Sequence, residues 1–207
     1  FHKITAADLK PIKAIFDALR IRGFEVLGLF SPSLKIPDAA EWIISQIKQF
    51  KPVCIVNATS FSGRGASGES PLDIGDVPVF QVALSTSNRA AWREADRGLS
   101  PADMAMHVVL PEVDGRIFAG VASFKQPGIQ DKNLEFSRIE HQPDKERILA
   151  ITDKVYRWYT LQTKPLEAQK AALILSTYPG RPWQMAHAVG LDVLASAQVI
   201  LQDSGHT

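Results

Sequence analysis

The stretch Leu99 to Lys125, LSPADMAMHVVLPEVDGRIFAGVASFK, decides how the chain is read. Ser100 suits a helix N-cap, Pro101 suits the first helical position, and Asp103 suits an electropositive helix start. Met104, Val108 and neighbouring apolar residues give that short helix a buried side. Pro111 is expected to end it, because a proline ring removes a helical donor and clashes with the preceding turn. Glu112-Val113-Asp114-Gly115-Arg116 then sets two acids and a base around a glycine. Ile117 to Phe124 resumes a β-type run. The pattern is helix, carboxylate-bearing turn, strand, and a polar loop between apolar elements is where a scaffold commonly presents reactive groups.

Working outward, the N-terminal half alternates helical and strand patterns. Asp8 to Arg22 carries Ile12, Ile15, Phe16 and Leu19 at helical spacing, with Pro11 tolerated in the first turn and Gly23 as the stop. Phe24 to Phe30 reads as a strand. Asp38 is expected to cap a helix holding Trp42, Ile43, Ile47 and Phe50. Val53 to Val56 and Val77 to Leu84 read as strands separated by a long Gly- and Ser-rich loop, Ala58 to Gly75. Ser85 to Ser87 offer caps for a helix reaching about Asp96. Near-continuous apolar strands alternating with helices predict an α/β fold, with parallel-sheet, Rossmann-like layers and helices on both faces.

Beyond the central stretch, Ile117 to Phe124 and Leu134 to His141 predict a short antiparallel hairpin around the polar run Lys125 to Asn133. Pro143 and Asp144 open a long helix with Ile148, Ile151, Val155, Trp158 and Leu161, broken at Lys164-Pro165. Ala171 to Ser176 reads as a buried strand, Tyr178 to Pro182 as a turn, and Met185 to Gln202 as mostly helix. Residues 1–163 are expected to form one α/β domain with a helical and hairpin insertion. Residues 170–207 are expected to begin a second α/β unit, or to add the last strand and helix of the first. Trp42, Trp92 and Trp158 sit among apolar residues at helical spacing and are expected in the core.

A 207-residue chain with 45% hydrophobic and 22% charged residues has the composition of a globular protein with a sizeable core. Its net charge of +1 argues against nucleic acid as a partner. The lone Cys54, inside an apolar run, excludes an internal disulfide framework and fits a reducing, cytoplasmic setting. No apolar run approaches the roughly 20 residues of a membrane span. The first residue is Phe1 and the last are Gly205-His206-Thr207, so the chain is expected to be a piece of something longer.

Several runs, in order, resemble the large-subunit family of cobaltochelatase and magnesium chelatase. They are Asn57-Ala58-Thr59, Asp76-Val77-Pro78-Val79, Arg97-Gly98-Leu99-Ser100-Pro101, Leu110-Pro111-Glu112-Val113-Asp114-Gly115-Arg116-Ile117, Ser123-Phe124-Lys125, Tyr178-Pro179-Gly180-Arg181 and Val189-Gly190-Leu191-Asp192. The resemblance implies a fragment of the tetrapyrrole-binding subunit of an ATP-dependent cobaltochelatase, a metal–nitrogen ligase of cobalamin synthesis. It would insert Co²⁺, as substrate, into hydrogenobyrinic acid a,c-diamide. ATP and Mg²⁺ would be used by a separate AAA+ ATPase subunit, a third subunit would complete the complex, and the fragment alone would be inactive. The close alternative is a magnesium chelatase subunit acting on protoporphyrin IX. A different class, a non-catalytic α/β ligand-binding or assembly module, also stays open.

Metal insertion needs a base for the inner nitrogen protons, ligands that strip water from the cation, and an apolar slot with cations for the ring's carboxylates. Glu112, beside Val108, Val109, Leu110 and Val113, is the expected base or metal relay, desolvated by those neighbours. Asp114 would orient it or bind cation; the alternative is a plain Asp-Gly turn. His107, five residues before Glu112, is a candidate cobalt ligand or, more ordinarily, a core or surface histidine. Asn57 and Thr59 follow the second strand and Ser85 the third, at the strand ends where α/β proteins bind ligands. The ordinary alternatives are a polar turn and helix capping. Arg97, Arg116 and Arg181 are candidates for substrate carboxylates, with solvated surface as the ordinary fate. Gly63-Arg64-Gly65-Ala66-Ser67-Gly68 spells GxGxxG, but six residues separate it from the strand, so it reads as a loop and not a dinucleotide site. No His-x-x-x-His pair or thiolate cluster exists, so no permanently bound metal is expected.

Overall fold

The computed structural model describes residues 8–65, 67–131, 135–175 and 192–203. The chain divides into two units, residues 1–163 and 164–207.

In the first unit all six residues of the central strand β2 (Val79–Leu84) are buried. The short strand β1 (Ile55–Asn57) pairs parallel to it on one side, Ile55 opposite Val79 and Asn57 opposite Gln81. The long strand β3 (Ile117–Asp131) pairs parallel on the other, from Phe80 opposite Ile117 to Leu84 opposite Ser123. Strand β4 (Phe136–Pro143) returns antiparallel to β3, completing a four-stranded sheet in the order β1-β2-β3-β4. A fully buried parallel centre is what a β-branched and aromatic run such as VFQVAL predicts.

Alternation along β2 gives the sheet two apolar faces. Phe80, Val82 and Leu84 pack against Ile15 and Leu19 of α1 (Lys10–Ile21) and Ile148, Ile151 and Val155 of a long helix, Lys145–Thr163. Val79 packs with Ile43 and Ile47 of α2 (Pro37–Phe50), and Ala83 with Leu99, Val121 and Phe124. Helices thus cover both faces, as the sequence predicts. Two extra residues on β3, Ala119 and Ala122, shift its register against β2 and both enter the Phe80 cluster.

The connection from β2 to β3 is helical almost throughout. Helix α3 (Arg89–Glu94) is capped by Asn88, which accepts from the Ala91 N–H at 2.8 Å. Ser85 to Ser87, the expected caps, have other work described below. Helix α4 (Pro101–Met104) is capped by Ser100 as expected, its Oγ accepting from the Asp103 N–H at 3.1 Å. It continues through a π turn, Ala105–Val109, into α5 (Leu110–Val113). Pro111 therefore does not end the helix. The wide turn lets the Leu110 N–H reach back to Ala105 O, so the proline enters as an early residue of a new α-helical turn, where its missing N–H costs little. The run ends at Asp114-Gly115, with Gly115 at φ +80°.

Helix α6 (Lys145–Thr163) starts at Asp144, whose Oδ1 accepts from the Arg147 N–H at 3.1 Å. The hairpin is longer than predicted: Lys125 to Asp131, read as a polar loop, is ladder. Its polarity marks strands that leave the covered sheet, with Gln126, Arg138 and Ile139 exposed. Phe24 to Phe30 forms no strand; Phe24 and Val26 pack against the main core, but no neighbouring strand among the described residues offers a ladder. Helix α2 is preceded by Ile36 without a side-chain cap, and Asp38 lies in its first turn. Trp92 is half-buried against Phe124, with ring centroids 5.1 Å apart, whereas Trp42 and Trp158 are exposed and not core.

In the second unit a short 3₁₀ turn, Leu166–Ala168, precedes α7 (Val193–Asp203), whose first turn is capped by Asp192 Oδ1 accepting from the Ala195 N–H at 3.0 Å. Ala171 to Leu175 is exposed and not a strand. The predicted turn at Tyr178 to Pro182, with Arg181, and the start of the Met185 helix lie outside the described residues. No helix among the described residues is long and apolar enough to cross a membrane.

Candidate functional site

The helical run from Pro101 to Val113 lies beside the sheet and turns one stripe inward: Asp103, His107, Pro111 and Asp114 are all buried. Spacings of four, four and three place these residues on one helical face. Three of the four are polar or ionisable, and the two acids fix loops.

Asp103, fully buried, holds the C-terminal end of β2. Its Oδ2 accepts from Ser85 Oγ at 3.0 Å and the Thr86 N–H at 2.8 Å, and its Oδ1 from Thr86 Oγ1 at 2.9 Å. Ser85 Oγ in turn accepts from the Ser87 N–H at 3.2 Å. Ser85 is at a strand end as expected, but its hydroxyl is enclosed and committed to Asp103. Asn57, at the end of β1, is also enclosed: its Nδ2 donates to Gln81 Oε1 at 2.7 Å, and its Oδ1 accepts from Thr59 Oγ1 at 2.9 Å. Gln81 Nε2 donates to Thr59 O at 2.8 Å, which closes a buried amide network across β1 and β2. Thr59 itself is exposed. Neither the Asp103 anchor nor Gln81 is marked out by apolar periodicity; the legible signal was the serine-threonine-serine run facing Ser100-x-x-Asp103.

Asp114 fixes the other end of the run. Its carboxylate accepts from Ser62 Oγ at 2.8 Å and the Gly63 N–H at 2.6 Å, with Arg64 Nε 3.4 Å away. Asp114 is expected from the sequence to orient Glu112 or bind a cation; the partners the structure gives it lie in the loop after β1. The same contacts settle the GxGxxG run as a docked loop, since the Gly63 and Gly65 N–H groups donate to Asp114 and Glu69 O, not outward to a phosphate. Arg116, offered as a partner for substrate carboxylates, is buried; its Nη1 donates to Asp73 Oδ1 at 2.5 Å, while its buried Nη2 has no hydrogen-bond partner among the described residues. His107 is buried within the π turn, on the inward stripe.

Glu112 differs from these groups: it is exposed, so the desolvation expected from its neighbours is absent here. The neighbours are open too, with Val109 49%, Leu110 38% and Val113 75% exposed. Arg97 is exposed and Arg181 lies outside the described residues.

The candidates do not converge on one constellation. Ser85, Asn57 and Thr59 lie at the carboxyl ends of the parallel strands. Glu112, Asp114 and Arg116 precede Ile117, which pairs with Phe80 near the opposite end of β2. Among the described residues no group of three or more His, Cys, Asp or Glu is placed to hold a metal ion. Burial pushes the Cys54 thiol above its ordinary pKa, which makes it less reactive.

Comparison with known proteins accounts for the motif. Residues 1–204 match the sequence model of the CobN/magnesium chelatase family. The aerobic cobaltochelatase subunit CobN of Sinorhizobium sp is 32% identical over 96% of this chain and 16% of its own length, and that of Pseudomonas aeruginosa is 32% identical over the same shares. The chloroplastic magnesium-chelatase subunit ChlH of Oryza sativa is 24% identical over 98% of this chain and 15% of its own length. The catalytic subunit of cobaltochelatase from Mycobacterium tuberculosis superposes with a TM-score of 0.73 at 27% identity, covering 97% of this chain and 17% of that one. This chain therefore spans about a sixth of the length of such relatives, and it belongs to the CobN/magnesium chelatase family.

Proposed function

We propose that the chain is the part of a cobaltochelatase large subunit that presents Glu112 to the tetrapyrrole. The cobalt branch is favoured by 32% identity to two cobaltochelatase subunits, against 24–26% for the magnesium-chelatase subunits. The intact subunit would insert Co²⁺ into hydrogenobyrinic acid a,c-diamide in the cytoplasm. A partner AAA+ subunit would hydrolyse Mg-ATP and a third subunit would complete the complex. The 207-residue chain alone would be inactive.

The observation that carries the reading is the contrast between the two acids of the Glu112-Val113-Asp114 turn. Asp114 is closed off by Ser62 and Gly63, whereas Glu112 is open at the end of a run held at both ends by buried carboxylates. Insertion of a divalent metal into a corrin displaces its one inner N–H proton (a porphyrin loses two) as the four ring nitrogens bind the metal, so a base must take up that proton. An exposed carboxylate on a fixed turn can accept it and release it to water.

The test is Glu112→Gln in the full-length subunit assayed with its ATPase partners. Ring binding and the thermal midpoint should be unchanged, while chelation falls at least a hundredfold, in the range that general bases contribute. Full chelation by the variant would overturn the assignment. Turnover of protoporphyrin IX with Mg²⁺, and none of the corrin with Co²⁺, would move the chain to the magnesium branch.

A further inference from the structure

An apolar segment of the first unit, Phe24 to Phe30, FEVLGLF, has no strand beside it. One end is packed in place. The Phe24 ring meets Tyr156 and Tyr159 edge-on, with centroids 6.3 and 5.6 Å away, and Phe24 and Val26 pack on the Ile15 cluster together with Cys54 and Val56. Half-buried and exposed residues alternate from Phe24 to Leu27, the pattern of a strand with one face on a core. Leu27 and Phe30 are exposed. Among the described residues no N–H from Glu25 to Phe30 donates a hydrogen bond, and no carbonyl from Phe24 to Phe30 accepts one. Water can meet those groups but leaves the apolar side chains uncovered; a second extended strand meets both needs.

The two edges of the sheet are protected and this segment is not. Strand β1 is three residues long. Strand β4 carries Arg138, Glu140 and Pro143; its His141 N–H donates to Asp8 Oδ1 at 3.0 Å, and Glu140 pairs with Lys10 at 2.5 Å. Short length, charge, proline and a cover keep an edge from recruiting another chain. Phe24 to Phe30 has no lysine, arginine or proline and a single acid, Glu25. Left open in a finished protein, such a run is an aggregation site. We infer that Phe24 to Phe30 is a β-strand whose ladder partner is an apolar strand elsewhere in the same large subunit, outside these 207 residues. The length of the relatives selects that occupant: this chain covers 16% of the two CobN subunits, so most of such a subunit lies outside it. A tethered strand is presented at a far higher effective concentration than a second copy or a separate subunit. The pairing does not depend on which ring or metal the subunit handles.

The test is amide hydrogen exchange of the unaltered full-length subunit, read by mass spectrometry on the peptide spanning Phe24 to Phe30, with the β2 peptide as the folded reference. The N–H groups of a strand point alternately to its two sides, so a partner on one side protects about three of the amides from Glu25 to Phe30. These should exchange at least about tenfold more slowly than in an unstructured chain, equally at high and low protein concentration and without any other subunit present. Exchange of every amide in the segment at less than about tenfold protection overturns the pairing. Protection that disappears on dilution assigns the cover to a second copy, and protection that arises only when the ATPase subunits are added assigns it to them; either result overturns the strand from the same subunit.

Discussion

Replacing Asp103 asks whether one buried carboxylate holds the C-terminal end of β2. The side chain is fully buried and accepts three hydrogen bonds, from Ser85 Oγ, the Thr86 N–H and Thr86 Oγ1. Bonds to a charged acceptor contribute roughly 1.5–3 kcal/mol each, but three on one group are not additive. In Asp103→Ala, exposed Thr86 regains water, so the full burial penalty falls on the enclosed Ser85 hydroxyl. The expected loss is about 3–5 kcal/mol. In Asp103→Asn, the amide oxygen can keep Ser85 and the Thr86 N–H, while its NH₂ turns to Thr86 Oγ1, a hydroxyl free to rotate and accept. What remains is the lost charge assistance and a weaker interaction with the helix start, together about 1–2 kcal/mol. Urea unfolding followed by tryptophan fluorescence reads both. With a slope near 2 kcal/mol per molar, the midpoint should fall by about 1.5–2.5 M for alanine and about 0.5–1 M for asparagine. Equal midpoints for the two variants, or an alanine shift below about 0.5 M, would refute the anchor.

Two further outcomes follow from the fold. Gly120 has φ +145°, and an added Cβ would meet Ile151 Cγ1 at 3.2 Å, so Gly120→Ala should cost about 2 kcal/mol, lowering Tm by roughly 4–8 °C; an unchanged melting scan would contradict the packing described. Asp144 is subject to opposing influences: burial pushes its carboxyl up, but the Arg89 side chain and the Arg147 and Glu146 N–H groups outweigh this and hold it below the usual carboxylate range. A depressed folded-state pKa stabilises the fold above the unfolded value of about 3.9 and loses that contribution as pH falls through the folded value. Asp144→Asn keeps the helix cap, so its stability deficit should be constant near neutrality and shrink below about pH 4; urea midpoints at pH 3, 4 and 7 giving one constant deficit would disprove it.

Apolar periodicity made α1, β2, α6 and the β3–β4 pairing legible, because Ile12, Ile15 and Leu19, or Val79 to Leu84, report burial directly. It was less informative where an element's fate depends on a neighbour. Phe24 to Phe30 has a strand's composition, yet a ladder requires a second strand, and composition does not supply one. Ala171 to Leu175 reads as buried and is exposed for the same kind of reason: an apolar run states a preference for burial, and burial needs a covering surface. Pro111 misled in another way. The rule that proline ends helices assumes regular α-helical hydrogen bonding, and the π turn before it alters that bonding, so the residues after Leu110 stay helical.

The candidate site shows the deeper limit. On the Pro101–Val113 run attention falls naturally on Met104 and Val108, which are only half-buried, while the inward stripe of Asp103, His107, Pro111 and Asp114 looks like a solvent-facing one. A stripe of that kind is stable only if each buried acid meets donors, and here both meet them in loops far away in sequence: Ser85-Thr86 for Asp103, Ser62-Gly63 for Asp114. The consequence is functional. Apolar side chains would hold the run by contact area and tolerate sliding; two carboxylates aimed at specific hydroxyl and N–H groups fix both its ends and two loops at hydrogen-bond distances. Helical geometry then decides what the acid two residues from Asp114 does. Two positions along a helix is about 200° around it, so once Asp114 is locked inward, Glu112 must face outward. The open carboxylate is therefore a product of the closed one, and disrupting Asp114 should displace Glu112 without touching it.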